Sequence, residues 1–341
     1  MSAPVRVLVV DDSPSMRAAL GRILDSDPDI EVVGTAPEPH AARAMIKELE
    51  PDVLTLDVEM PGMDGLSFLE KIMRLRPMPV VMCSTLTARG TEVTIEALRL
   101  GAVDCIAKPC GNPLEIARDS TYLCATVKAA ARSRVRPVTS APPRVIGSSG
   151  SYRDMVIAIG ASTGGVEALF ALVGALPRDC PPVLIVQHMP AGFTGGFAER
   201  LDKHSAVKVR EARDGDMIDR GTVHIAPGGG CHMRLAGRTI CLTPGEPVGG
   251  HRPSVDVLFR SVAERGSKSV GVLLTGMGQD GAAGLLAMRR AGARTFGQSA
   301  DSCVVYGMPR AAFELGAVER QVRLSAMPEA ILGACRHDKG E

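Results

Sequence analysis

Short runs of Val, Ile, Leu and Ala recur through both halves of the chain, each ending in a polar or glycine-rich turn that leads into an amphipathic stretch. That alternation implies parallel strands buried on both faces, because parallel neighbours must be joined by a crossover, usually a helix. In the first half, Val5–Val10, Ile30–Gly34, Val53–Leu56, Val80–Cys83 and Val103–Ala107 predict strands. Ser15–Leu24, His40–Leu49, Gly65–Arg74 and Thr91–Leu100 carry helical periodicity between them. In the second half, Met155–Ile159, Pro182–Val186 and Val270–Leu274 are strand candidates. Val166–Leu176, Gly195–His204, Val255–Arg265 and Gly281–Ala291 read as helices, and Thr222–Leu242 as a hairpin excursion.

The expected class is α/β in two domains, which 341 residues accommodate. From Ser120 to Arg153 there are six basic residues and no acid. Val135–Ser151 is rich in Pro, Ser and Gly and aperiodic, so it reads as a tether. The predicted boundaries are residues 1–124, a linker over 125–152, and 153–341. A net charge of +1, with 3% aromatics and no Trp, argues against base stacking and nucleic-acid binding. The glycine-rich second half has no basic recognition helix either. Nine cysteines without a C-x-x-C pair suit a reduced, cytoplasmic protein. No apolar run approaches the roughly 18 residues of a membrane span, and the first residues enter a strand without a signal-peptide pattern.

Acids collect where strands end. Asp11 and Asp12 follow the first predicted strand and Asp57 the third. Parallel strands present their carboxyl ends on one edge, so these carboxylates gather and repel unless a cation joins them. Oxygen ligands with open positions suit Mg²⁺. Ser84 ends the fourth run, and Lys108, followed by Pro109, ends the fifth. A carboxylate, a divalent ion, an ammonium and a hydroxyl together make a phosphoryl-accepting site, since the cations neutralise the incoming charge. Any one acid alone would serve as well as a helix cap or loop residue; three at strand ends favour the site.

The segments VLVVDDSPSMR, LTLDVEMPGMDG, VVMCS and AKP resemble the receiver domain of two-component response regulators, over about residues 4–124. The resemblance implies a flavodoxin-like (βα)5 fold with Asp57 as the phosphorylated residue. It implies Mg²⁺ held by Asp12, Asp57 and, through water, Asp11, with Ser84 and Lys108 contacting the phosphoryl group. It also implies a histidine kinase as phosphodonor. Cys105 stands three places before the lysine, where the family often has an aromatic residue.

The second half carries different chemistry. Ser162 lies in the turn after Met155–Ile159, within Gly160–Gly164, which matches G-x-S-x-G. Such a strand-to-helix turn exposes a hydroxyl at the sheet edge beside helix N–H groups. The same turn suits a phosphate equally well, so taken alone it leaves an enzyme and a binding module both open. His188 ends PPVLIVQHMP, and Asp280 sits in the turn of VGVLLTGMGQDGA. If these strands are parallel, a hydroxyl, an imidazole and a carboxylate converge as nucleophile, base and orienter. Met277 and Gly278 offer backbone N–H groups to an oxyanion. His251 opens HRPSVD, where Ser254 is a good N-cap, and is a rival base; His204 and His232 also compete. His224 lies in a strand pattern and reads as structural, while His40 and His337 fall outside this core pattern. Asp280 would serve equally as a cap for the helix after it. The order Ser, His, Asp also differs from the Ser, Asp, His of α/β-hydrolases.

IGASTGG, QHMP, IAPGG followed by HM, HRPSVDVLF, LLTGMGQDGAAG and CVVYGMPR resemble the catalytic domain of chemotaxis protein-glutamate methylesterases (CheB), over about residues 153–335. The resemblance implies a doubly wound parallel-sheet α/β domain with Ser162 as nucleophile, His188 as base and Asp280 as third member. Met277 would contribute the oxyanion N–H, with Thr163 beside the nucleophile. The implied reaction is hydrolysis of glutamate methyl esters on chemoreceptors, with glutamine deamidation by the same acyl chemistry and no cofactor for the hydrolysis. The loop Pro227–His232 is about one residue longer than the usual form.

Overall fold

The computed structural model describes residues 3–60, 64–84, 88–109, 113–133, 145–147 and 152–336. The chain divides into two compact units, Met1–Thr139 and Ser140–Glu341. Apart from residues 145–147, the aperiodic stretch over 135–151 lies outside the described residues. Among the described residues, no helix is long and apolar enough to cross a membrane.

In the first unit, β1 (Val5–Val10), β2 (Ile30–Ala36), β3 (Val53–Asp57), β4 (Val80–Ser84) and β5 (Asp104–Ala107) alternate with helices. These are α1 (Pro14–Asp25), α2 (Pro39–Leu49), α3 (Gly65–Leu75), α4 (Ala88–Arg99) and α5 (Pro113–Ala131). The strands form one parallel sheet in the order β2-β1-β3-β4-β5. Strands β3 and β4 are buried at every position, which is why their sequences do not alternate. The strand order reverses between β1 and β3, and the crevice of an open α/β sheet lies at that reversal, beyond the carboxyl ends.

Helix α5 passes the boundary expected at residue 124 and continues to Ala131. Leu123, Val127 and Ala130 are buried, and Lys128 reaches Asp27 at 2.6 Å. The loss of acids after Ser120 therefore marks a change in surface charge, while the apolar helical face runs on.

The second unit contains β6 (Val156–Ala161), β7 (Val183–Gln187), β8 (Lys208–Glu211), β9 (Thr222–Ile225), β10 (Cys231–Ala236), β11 (Thr239–Pro244), β12 (Ser269–Leu273), β13 (Arg294–Gln298) and β14 (Arg320–Val322). Its helices are α6 (Gly165–Val173), α7 (Phe193–Lys203), α8 (Val255–Ala263), α9 (Ala282–Arg290), α10 (Met308–Glu314) and α11 (Met327–Cys335). Seven strands make a parallel sheet in the order β14-β13-β12-β6-β7-β9-β8. The chain enters at β6, passes to β7 and the edge strand β8, inserts β9 between them, then returns to β12 on the other side. The reversal thus falls between β6 and β12.

The hairpin excursion is smaller than the sequence suggested. Strands β10 and β11 pair antiparallel as a separate ribbon, whereas Thr222–Ile225 joins the main sheet between β7 and β8. Strands β8, β13 and β14 lack an apolar run, which is why periodicity passes over them.

Helices α8 and α9 pack closely because Gly284 has no side chain. A Cβ there would lie 2.7 Å from the Cβ of the fully buried Phe259 and 3.0 Å from the Asp256 backbone. Gly284→Ala should therefore push the two helices apart and cost about 1–3 kcal/mol. The check is the denaturation midpoint of the second unit, and an unchanged midpoint would contradict this packing.

Candidate active site

In the first unit the reversal gathers the expected acids. Asp11 and Asp12 leave β1 and Asp57 ends β3; one carboxylate oxygen from each lies within 4.8 Å of the others. Asp11 and Asp57 are buried and Asp12 is exposed. The Lys108 ammonium sits 2.8 Å from Oδ2 of both Asp11 and Asp57. These are ion pairs, and neither oxygen has another partner. Burial pushes the Asp57 carboxyl above its usual range, against the pull of Lys108. For Lys108 burial acts downward, but the bonds and charges of Asp11 and Asp57 outweigh it and hold the ammonium above its usual range. Ser84 ends β4 fully buried, and its carbonyl accepts the Lys108 N–H at 2.9 Å. All five residues therefore meet at one edge. Cys105 is buried in β5, with its thiol pushed up by that burial.

In the second unit the reversal brings together the other set. Ala161 pairs with Gln187, and the His188 N–H donates to Ala161 O at 3.0 Å. Ser162 and His188 thus leave neighbouring strands at one level, about 5 Å apart by strand spacing. On the other side of β6, Leu273 pairs with Gly160, and the Ser162 N–H donates to Thr275 O at 3.1 Å. The β12 turn lies so close that a Cβ on Gly276 would fall 2.7 Å from Ser162 Cβ and 3.1 Å from Ser162 N. Only glycine allows that approach.

Side chains not singled out in the sequence hold these turns. Gln187 Nε2 donates to Ser162 O at 3.0 Å and to His188 O at 2.9 Å. The Thr275 N–H donates to Gln298 Oε1 at 2.8 Å, and its hydroxyl donates to Thr163 O at 3.0 Å. Thr163 is buried directly after the serine.

Asp280 does cap a helix, but a distant one. Its Oδ2 accepts the Val255 N–H at 2.7 Å, and its Oδ1 accepts the Asp256 N–H at 3.0 Å and the Ser254 hydroxyl at 2.8 Å. It thereby caps α8, while α9 begins from Gly281. The Ser254 hydroxyl makes no capping bond itself. His188 Nε2 lies 2.8 Å from Asp280 Oδ2. Burial alone would raise the Asp280 pKa, but His188, the Asp256 N–H and Ser254 outweigh it and hold it at about 2. An ionised carboxylate can only accept, so the Nε2 proton belongs to His188. His188 Nδ1 is then the free base position, buried and without a hydrogen-bond partner. Ser162, His188 and Asp280 are 5%, 7% and 6% exposed, so each lies just below the surface.

The competing histidines separate cleanly. His224 is buried, and burial together with Arg210 holds its pKa down at about 4. Arg210 Nε donates to its Nε2 at 3.0 Å, as befits a neutral structural residue. The Nδ1 of His204 donates to Arg200 O near the end of α7. His251 stacks on the His188 ring at 3.9 Å with a 2° tilt. It is a neighbour of the imidazole that meets Asp280, and the Asp280 contact belongs to His188.

Together the two crevices define a class: a receiver-coupled α/β hydrolase. The CheB methylesterase family profile matches residues 157–331, and the response regulator receiver domain profile matches residues 7–117. Protein-glutamate methylesterase/protein-glutamine glutaminase 1 of Caulobacter vibrioides is 58% identical over 339 residues, covering 97% of this chain and 98% of its own. The Agrobacterium fabrum protein-glutamate methylesterase/protein-glutamine glutaminase is 56% identical over 344 residues, covering 97% of each chain. The solved catalytic domain of Thermotoga maritima CheB methylesterase covers 53% of this chain and 98% of its own, with a TM-score of 0.51 and 34% identity. The chain belongs to the CheB methylesterase family, with a response regulator receiver domain ahead of the catalytic domain.

The low Asp280 pKa has a consequence for stability. At about 2 it lies below the ordinary 3.8, so the ionised group stabilises the fold above about pH 4 and that share is lost as pH falls through about 2. The gap in urea midpoint between the native chain and Asp280→Asn should be full at about pH 5 and shrink towards pH 2. A gap that does not change with pH would contradict the depressed pKa.

Proposed function

We propose that the chain is a phosphorylation-regulated serine hydrolase that removes methyl esters from glutamate side chains of chemoreceptors, and glutamine amides by the same route. The observation that carries this reading is the 2.8 Å contact of His188 Nε2 with Asp280, which leaves Nδ1 unpartnered on a residue that follows the strand paired with the one leading to Ser162. In this mechanism Ser162 Oγ attacks the ester carbonyl while His188 Nδ1 takes its proton. Asp280 holds the ring and stabilises the imidazolium. The Met277 N–H stabilises the oxyanion, which develops beside the close-packed Gly276 turn. His188 then returns the proton to the departing methoxide, a poor leaving group that needs it. Methanol leaves, and a water activated by the same nitrogen releases the glutamate. With a glutamine substrate the leaving group is ammonia. Thr163 supports the turn beside the nucleophile through its carbonyl bond to Thr275.

A cavity of about 800 Å³ opens beside Asp280, between the 278–280 turn and α10, with His251, Tyr306 and Arg310 in its walls. It offers room for a protein segment approaching from the carboxyl edge.

Regulation resides in the receiver unit. Asp57 accepts a phosphoryl group from a histidine kinase, and Ser84 and Lys108 contact it. Asp11, Asp12 and Asp57 would hold Mg²⁺; a carboxylate oxygen from each lies within 4.8 Å of the others, two of the acids are buried with Lys108 as the sole partner of their Oδ2 atoms, and one ammonium cannot neutralise three carboxylates. When bound, the ion neutralises charge on the transferring phosphoryl group. This reading places the reaction in the cytoplasm, on the cytoplasmic part of the receptors.

Methanol release from methylated receptor tests the assignment. Ser162→Ala should lose about 10³-fold or more in kcat; retained turnover would leave a binding module as the better reading. A small phosphodonor with Mg²⁺ should stimulate the native chain and leave Asp57→Asn at its basal rate. Stimulation that survives in Asp57→Asn, or that persists in excess EDTA, would contradict the receiver assignment.

A further inference from the structure

We propose that Ser254 and His232 are positioning residues of the hydrolytic site, locking Asp280 in the orientation that turns Oδ2 toward His188. The inference rests on the triad reading above. It starts from the division of labour on the carboxylate. Oδ2 serves His188 and the Val255 N–H, while Oδ1 is occupied by the Ser254 hydroxyl at 2.8 Å and the Asp256 N–H at 3.0 Å. A serine at a helix start ordinarily turns its oxygen back on its own helix. Here it points at a residue 26 positions away instead.

Ser254 is itself held from behind. Its N–H donates to His232 Nδ1 at 3.2 Å, and His232 Nε2 lies 3.0 Å from Glu246 O. With Nδ1 accepting, the ring proton sits on Nε2 and donates to that carbonyl, so His232 is neutral in this arrangement. Ser254 is 0% and His232 4% exposed, so water cannot replace either bond. The hairpin β10–β11 supplies the histidine, which gives this excursion a task at the site. The charged and titratable groups around the chain of bonds are few. His188, with His251 stacked on it, and Asp256 face Asp280. Glu246 and Arg252 flank His232, with the Arg252 guanidinium bonded to Gly229 O and Gly245 O.

The role differs from catalysis: neither residue touches the reacting atoms. Removing the Ser254 hydroxyl leaves Oδ1 with one donor and lets the carboxylate turn. It also concentrates negative charge on the group facing His188, which favours the imidazolium. The acid limb of activity should then move to higher pH.

The test uses the full chain, with methanol release followed across pH. Ser254→Ala should lower kcat about 10–100-fold, the range for groups that orient a functional residue, with KM little changed and the acid limb of kcat/KM shifted upward. Ser254→Thr, which keeps the hydroxyl, should retain most of kcat and the native limb. His232→Asn, which can accept through Oδ1, should stay near native, while His232→Ala should behave like Ser254→Ala. Native kcat in Ser254→Ala would overturn the proposal. So would a loss of kcat with an unmoved limb that Ser254→Thr shares, since that is the mark of packing alone. If Ser254→Ala fails to fold, the His232→Asn and His232→Ala pair decides by the same two readouts. Failure of the triad reading is separate and shows as retained turnover in Ser162→Ala.

Discussion

The catalytic unit turns on a buried carboxylate that four donors share. Asp280 lies in a turn after β12, yet it completes the start of α8, a helix that precedes it in the chain. His188 does most to keep so buried an acid ionised, and the N–H groups at the helix start add to it. Being ionised, it can only accept, and that fixes the tautomer of His188. The Nδ1 of His188 is then the ring nitrogen left without a partner. One electrostatic arrangement thus sets a helix start, a proton position and the direction of a base. It also reverses the ring usage of the familiar Ser-His-Asp template, in which Nδ1 faces the acid.

The two units solve related problems with the same topology. In each, an open parallel sheet reverses its strand order, and chemistry collects at the carboxyl ends beside the reversal. The receiver crevice concentrates negative charge and offsets it with one ammonium, an arrangement suited to a divalent ion and a phosphoryl group. The catalytic crevice pairs one carboxylate with one imidazole and holds that carboxylate with backbone donors. Close approach matters more there than charge: the Gly276 backbone presses on Ser162 because no side chain intervenes.

Much of this was legible in the sequence because strand ends are legible. Apolar runs such as Val5–Val10 and Val53–Leu56 stop at a polar residue, and those polar residues gather at the crevice. The same logic put Ser162, His188 and Asp280 at strand ends, and the structure joins the last two. It failed for β8, β13 and β14, whose short strands carry Lys, Arg, Glu and Gln and earn their place through sheet pairing. It also assigned Thr222–Ile225 to the excursion, since the turn-rich flanks hide a strand that docks far from its neighbours in sequence. The supporting side chains Gln187, Thr275 and Gln298 were invisible because their partners are backbone atoms on other strands. Ser254 was recognised as a helix start, but the direction of its hydroxyl depends on a contact no spacing encodes.

The central claim concerns where one proton sits, and nitrogen-15 NMR of the histidine-labelled full chain measures it directly. Above its titration range, His188 should show the Nε2-protonated tautomer, with Nδ1 at the shift of an unprotonated ring nitrogen, and Asp280→Asn should erode that preference. A His188 found protonated on Nδ1 would contradict the account, because that nitrogen could then take no proton from Ser162.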